Sequence, residues 1–196
     1  MRTIVTLLMI ITMMGTPSAQ PAQGEAPFGL TWGMSALQPQ AQGISLSDSP
    51  DQTYGKSYSA TNLPKVITDA ELVFLAFGHD DKLWRIAVAS TSIKNDPYGS
   101  SIKRRYDELA NALGEKYGKG KQEHFAARGY DTEHFVMGIK GGNNWWYTNF
   151  ANSVVTVQIG IGAADYTTPY WRLIYTNKAL SAAFEKTKRE REKNAL

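Results

Sequence analysis

Cysteine is absent from all 196 residues. That excludes a disulfide-stapled scaffold and any thiol nucleophile, so the fold must stand on an ordinary apolar core. It is also compatible with an oxidising compartment, where a free thiol is a liability. No apolar run approaches the roughly 20 residues that a membrane-spanning helix needs. Histidine is scarce, with three residues, and neither sign of charge prevails, with 21 basic against 18 acidic residues. A chain of this length with 42% hydrophobic and 20% charged residues is too apolar for a disordered segment. It fits one globular domain.

The longest apolar run, TIVTLLMIITMM at residues 3–14, follows one charge, Arg2, and precedes the small and turn-forming GTPSAQPAQG. That layout is a secretory signal peptide, 1–19, with cleavage expected near Ala19. A buried first helix is the alternative, and Gly15, Pro17 and Pro21 directly after the run argue against it. No Cys follows the run to carry a lipid anchor, so the expected product is soluble and periplasmic or secreted. The charged tail, 185–193, carries five basic and three acidic residues. With Arg2 removed, the rest of the exported chain is therefore neutral, and nucleic acid is set aside as a partner.

Residues 20–27 are rich in Pro, Ala and Gln and read as a flexible leader, with a single domain expected over 28–196. Ser35 is placed to cap a short helix limited by Pro39 and Gly43. The stretch 44–52 reads as loop and 54–58 as a strand. AELVFLAF (70–77) and LWRIAVA (83–89) flank GHDDK and predict a hairpin buried on part of both faces. Asp96 and Pro97 supply a cap and a first helical residue. Ile102, Tyr106, Leu109, Leu113 and Tyr117 then mark one face of an amphipathic helix stopped by Gly118.

Beyond a polar connector, further strands are expected at 132–137, 145–150, 154–161 and 170–175. A final helix from Lys178 should dock through Leu180, Ala183 and Phe184 and then project, with Glu185 and Arg189 in the favourable i, i+4 order and Lys186 and Glu190 in the weaker one. The predicted class is α+β: a mainly antiparallel sheet with one central amphipathic helix and a C-terminal helix.

The phrases FGLTWGMS (28–35) and YDELANALGEKYGK (106–119) resemble those of a diffuse group of small exported bacterial and phage-borne proteins that open the mature chain with FGL-x-WGMS. The likeness covers about a dozen residues at each place and concerns helix starts and stops. It implies a small envelope-associated α+β domain and nothing catalytic. Leu37, Gln38 and Pro39 replace the acidic and aliphatic continuation usual in that group.

Motifs for chemistry are missing. His79 lies in an Asp-rich turn, and His124 and His134, ten apart, lack zinc-ligand spacing; all three are expected as turn or surface residues. GEKYGKGK (114–121) ends a helix, whereas a phosphate loop precedes one. No Gly-x-Ser-x-Gly elbow occurs, and the paired carboxylates Asp80 and Asp81, and Asp107 and Glu108, are sequence neighbours that point apart. Lys103, Arg104 and Arg105 are followed at once by two acids and read as a solvated helix face. No catalytic residue, metal site or cofactor is therefore assigned.

The expectation is an exported binding protein acting on another envelope protein or a cell-wall glycan, with an inhibitor or immunity role as its sharpest form. A small envelope hydrolase and a soluble assembly factor are the alternatives. The candidate surface rests on a hairpin around Ala151 and Asn152. A two-residue turn there pairs Phe150 with Ser153, Thr148 with Val155 and Trp146 with Val157 on the core face. Trp145 then stands opposite Gln158 and Tyr147 opposite Thr156, with Asn149 beside them: two rings among amides and hydroxyls, suited to stacking on sugars or anchoring a protein. The competing expectation is that the final helix covers this face.

Overall fold

The structure, a computed structural model, describes residues 24–51 and 53–196; the expected signal peptide lies outside them. Eight strands form one sheet in the order β1-β2-β3-β4-β8-β7-β6-β5, antiparallel at every junction. They are β1 (Ser45–Asp48), β2 (Lys56–Thr61), β3 (Ala70–Gly78), β4 (Arg85–Ser90), β5 (Lys121–Ala126), β6 (Asn144–Ala151), β7 (Val155–Ala163) and β8 (Pro169–Asn177). Four helices, α1 (Leu37–Ala41), α2 (Ser100–Tyr117), α3 (Phe135–Lys140) and α4 (Lys178–Ala195), complete an α+β fold.

The alternation of apolar residues along the strands decides where the helices lie. One sheet face carries Val73, Leu75, Ile86, Val88, Val157, Ile159, Leu173 and Tyr175, all buried. The helices pack there. Tyr106 of α2 meets Thr148, Phe135 of α3 packs edge-on to Trp146, and Phe184 of α4 stacks on Trp84 with centroids 4.6 Å apart. The N-terminal segment joins them, with Trp32 and Leu30 buried and Phe28 edge-on to Tyr175.

The central helix runs as its periodicity predicts, burying Ile102, Tyr106 and Leu113 and stopping at Gly118. It begins later than expected. Gly99, at φ 70°, is the residue before the first turn, because a Cβ there would lie 2.3 Å from the Phe135 ring. Asp96 still serves the helix start, its Oδ2 accepting from the Ile102 N–H at 2.9 Å. The C-terminal helix buries Leu180 and Phe184, capped by Asn177, whose Oδ1 accepts from the Leu180 N–H, while Ala183 is exposed.

Several expectations need correction. Residues 24–27 are not a flexible leader: Ala26 is buried and donates its N–H to Leu30 O, and Trp32 donates to Gly24 O. Ser35 does not cap α1; its own N–H is taken by the Gln38 side chain. The loop expected at 44–52 contains β1, and the polar connector contains β5, both edge strands whose sequences alternate too little to announce themselves. The strand expected at 132–137 is instead a turn followed by α3. Phe135 and Val136 are buried there, and Gly138 passes so close to Asn144 that a Cβ would meet its side chain at 2.3 Å.

Candidate functional site

Among the described residues no helix packs across the opposite sheet face, although Lys140 at the end of α3 reaches its margin, so α4 does not cover the predicted surface. On this face the pairing lays out rows across the strands. Phe125 lies beside Trp145, Glu123 beside Tyr147, and Lys121 beside Asn149, which faces Gln158 on its other side. The rings of Phe125 and Trp145 stack with centroids 4.2 Å apart and remain 43% and 45% exposed. Tyr147 donates its hydroxyl hydrogen to Glu123 at 3.0 Å, and Lys121 bonds the same carboxylate at 2.8 Å. These bonds, from Lys121 first and Tyr147 next, hold the Glu123 carboxyl below its ordinary range, and the bond to Glu123 pushes the Tyr147 phenol up. The Gln158 amide donates to Asn149 Oδ1 at 2.9 Å.

The predicted register is corrected. Phe150 pairs with Val157, Thr148 with Ile159, Tyr147 with Gly160 and Ala151 with Thr156. The cause is Asn152: its Oδ1 accepts from the N–H groups of Val154 and Val155, which holds 152–154 as a longer turn. Partners move by four positions, an even number, so each residue keeps its predicted face while its neighbours change. Trp145 no longer opposes Gln158, nor Tyr147 Thr156. Thr156 is exposed at the hairpin end, six residues or roughly 20 Å along β6 from Trp145.

The new neighbours build a cleft. Opposite Tyr147 and beyond it stand Gly160 and Gly162, and across them Arg172 and Tyr170. Tyr170 lies over Gly162, where a Cβ would meet its ring at 2.6 Å, so the glycine lets the ring settle on the strand. Trp145, Tyr147, Tyr170, Arg172 and Lys140 border a cleft of about 320 Å³ with no carboxylate in its lining. Trp145, Tyr147, Asn149 and Gln158 lie on the face expected for them, and Phe125, Glu123, Tyr170 and Arg172, not singled out from the sequence, join them there. The Gly-x-Gly of β7 is the sequence signal for a ring lying across it.

Other polar clusters belong to the packing. The Tyr106 hydroxyl lies 2.6 Å from Thr148 Oγ1 and 3.0 Å from His124 Nε2, and His124 stacks on Trp146 at 4.0 Å. His124 is thus half-buried rather than the expected turn or surface residue. Burial pushes the Tyr106 phenol up to about 12 and His124 down, so at neutral pH both are uncharged. His79 stacks on Phe184, and His134 precedes α3. Among the described residues no three His, Cys, Asp or Glu side chains converge as metal ligands, and no helix is long and apolar enough to cross a membrane. Comparison with protein-family models, with curated proteins and with solved structures finds no match to this chain.

Proposed function

We propose that this chain is an exported binding protein of the cell envelope, periplasmic or secreted, whose partner docks on the β5 to β8 half of the uncovered face. The observation that carries this reading is the half-exposed Phe125 and Trp145 pair beside the cleft of Tyr147, Tyr170 and Arg172, on the face opposite the packed helices. Aromatic faces stack on the C–H faces of sugars, and the Asn149 and Gln158 amides offer hydrogen bonds at the margin. Lys140 and Arg172 without a lining carboxylate favour a glycan that carries carboxylates, as cell-wall fragments do. Export rests on the sequence of residues 1–19, and N-terminal mass spectrometry of protein recovered outside the cytoplasm is expected to show about 19 residues removed.

The binding test is isothermal titration with soluble cell-wall fragments. Saturable binding is expected, weakened at least tenfold by Trp145→Ala and by Arg172→Ala with the fold intact, and hardly changed by Thr156→Ala at the far end of the hairpin. Equal affinity of wild type and Trp145→Ala would remove the cleft from the binding site.

A further inference from the structure

A second cavity lies on the same face, with a lining of its own, and meets the cleft above only along β8, where Ile174 belongs to the cavity and Tyr170 and Arg172 to the cleft. It encloses about 400 Å³ against β2, β3, β4 and β8, and Pro50 and Tyr54 from the β1 to β2 connection form its outer wall. Pockets that hold small molecules run from about 300 to 1,000 Å³, so its occupant is a small molecule and not a protein segment.

The pairing shows how its chemistry is graded. One row across the floor holds Ala76, Arg85 and Thr176; the next, about 7 Å along the strands, holds Phe74, Ala87 and Ile174. One row further stand Leu72, 47% exposed, Ala89 and, on the β8 side, the Arg172 that also borders the cleft. The cavity therefore has Arg85 at one end and a hydrocarbon floor of Phe74, Ala87 and Ile174 that continues on its β3 side to Leu72.

Arg85 is the unusual residue. Its guanidinium sits 4.3 Å from the centre of the Tyr54 ring, and Nη1 donates to Thr176 Oγ1 at 3.4 Å. Five N–H donors are available to a guanidinium, and among the described residues its side chain makes that one hydrogen bond and no ion pair. Asp51, at the rim, directs its Oδ1 to the Thr53 N–H. Burial lowers the Arg85 pKa. A partly desolvated cation without a carboxylate is costly unless an anion completes it. A chain that needed only to fold could place Gln or Met there.

We infer that this cavity binds a single-chain amphiphile, its anionic oxygen head on Arg85 and Thr176 and its hydrocarbon tail along Ala87, Phe74 and Ile174 toward Leu72. A fatty carboxylate and an alkyl phosphate share that chemistry, and the neutral alcohol of equal length lacks the head. The cation and its hydrocarbon trough make one site.

Titration of the full chain with decanoate, decyl phosphate and decanol, each below its micelle concentration, tests this. One-to-one binding is expected, with at least one anion held tenfold or more tighter than decanol. Arg85→Gln should abolish the preference and leave the decanol affinity in place. Ala87→Trp, which fills the trough and keeps the cation, should abolish binding of all three. Trp145→Ala should change nothing, which keeps this site distinct from the aromatic cleft. Decanol bound as tightly as both anions, or unchanged anion binding by Ala87→Trp, would overturn the inference.

Discussion

Trp145 and Trp146 are neighbours with opposite fates, and the pleat alone separates them. Trp146 stacks on His124, meets Phe135 edge-on and lies 5.1 Å under the Lys103 ammonium, while its Nε1 is buried with no hydrogen-bond partner among the described residues. Trp145 keeps nearly half its surface in water. Trp146→Ala is therefore expected to cost about 3 to 5 kcal/mol and Trp145→Ala less than about 1 kcal/mol, measured by urea unfolding. Comparable losses would mean that the open face is packed against something. His124 adds a pH dependence of definite sign. Burial lowers its folded pKa below the usual 6.5, so the unfolded chain takes up the proton first. Its contribution to stability is whole above about pH 6.5 and is lost as pH falls through the folded value. The unfolding midpoint should decline between pH 7.5 and pH 5, and His124→Phe should flatten that decline; an unchanged slope in the variant would place the titration elsewhere. Asp69 acts in a lower window. Arg105 at 2.6 Å, aided by Trp171 Nε1 at 2.8 Å, holds its carboxyl below 3.8, so its share persists until pH falls below about 4.

At the scale of elements, what could be read from the residues followed the strength of the local period. β3, β4, α2, β6, β7, β8 and α4 announced themselves because each buries a regular stripe. β1 and β5 did not, since an edge strand need satisfy only one neighbour and is often polar; SLSD and KQEHFA look like loop. The segment at α3 misled for another reason. FVMGIK is a short apolar run, and periodicity cannot tell a strand from one helical turn there. The deciding contact is distant: Asn144 Nδ2 donates to Tyr130 O and Phe135 O, while its Oδ1 accepts from the Ala127 N–H. One buried amide thus ties the end of β5, the turn before α3 and the start of β6. Asn144→Ala strands those three backbone groups and is expected to cost about 3 kcal/mol, with hydrogen exchange accelerated first in 127–140. The docked and projecting parts of α4 differ as predicted in burial, although the ion pair that forms is Lys186 with Glu190 at 3.9 Å rather than Glu185 with Arg189. Such exposed pairs contribute little, so deleting 190–196 should leave the thermal midpoint almost unchanged. Truncation from Leu180 removes Leu180 and Phe184 from the core and should cost several kcal/mol.

For the whole molecule, the decisive property is one-sidedness: four helices and the N-terminal segment crowd one face of eight strands and leave the other to solvent or ligands. A monomeric sheet of this kind must alternate in energy as it does in sequence. β8 lies in its middle, between β4 and β7, and so samples both faces without edge effects. Trp171, Leu173 and Tyr175 are buried, whereas Tyr170, Ile174 and Thr176 are half-covered and Arg172 is exposed. Alanine at 171, 173 or 175 should each cost about 2 to 5 kcal/mol, and alanine at 170, 172 or 174 less than about 1.5 kcal/mol. Ile174 is the informative position, because it floors the proposed amphiphile cavity. On the bare chain its truncation should be mild, and with decanoate bound the stability gained from the ligand should shrink, since that gain depends on affinity. If Ile174→Ala instead matches Leu173→Ala in the absence of ligand, and the loss grows on dilution, a second copy of the chain covers the face and the one-sided description fails.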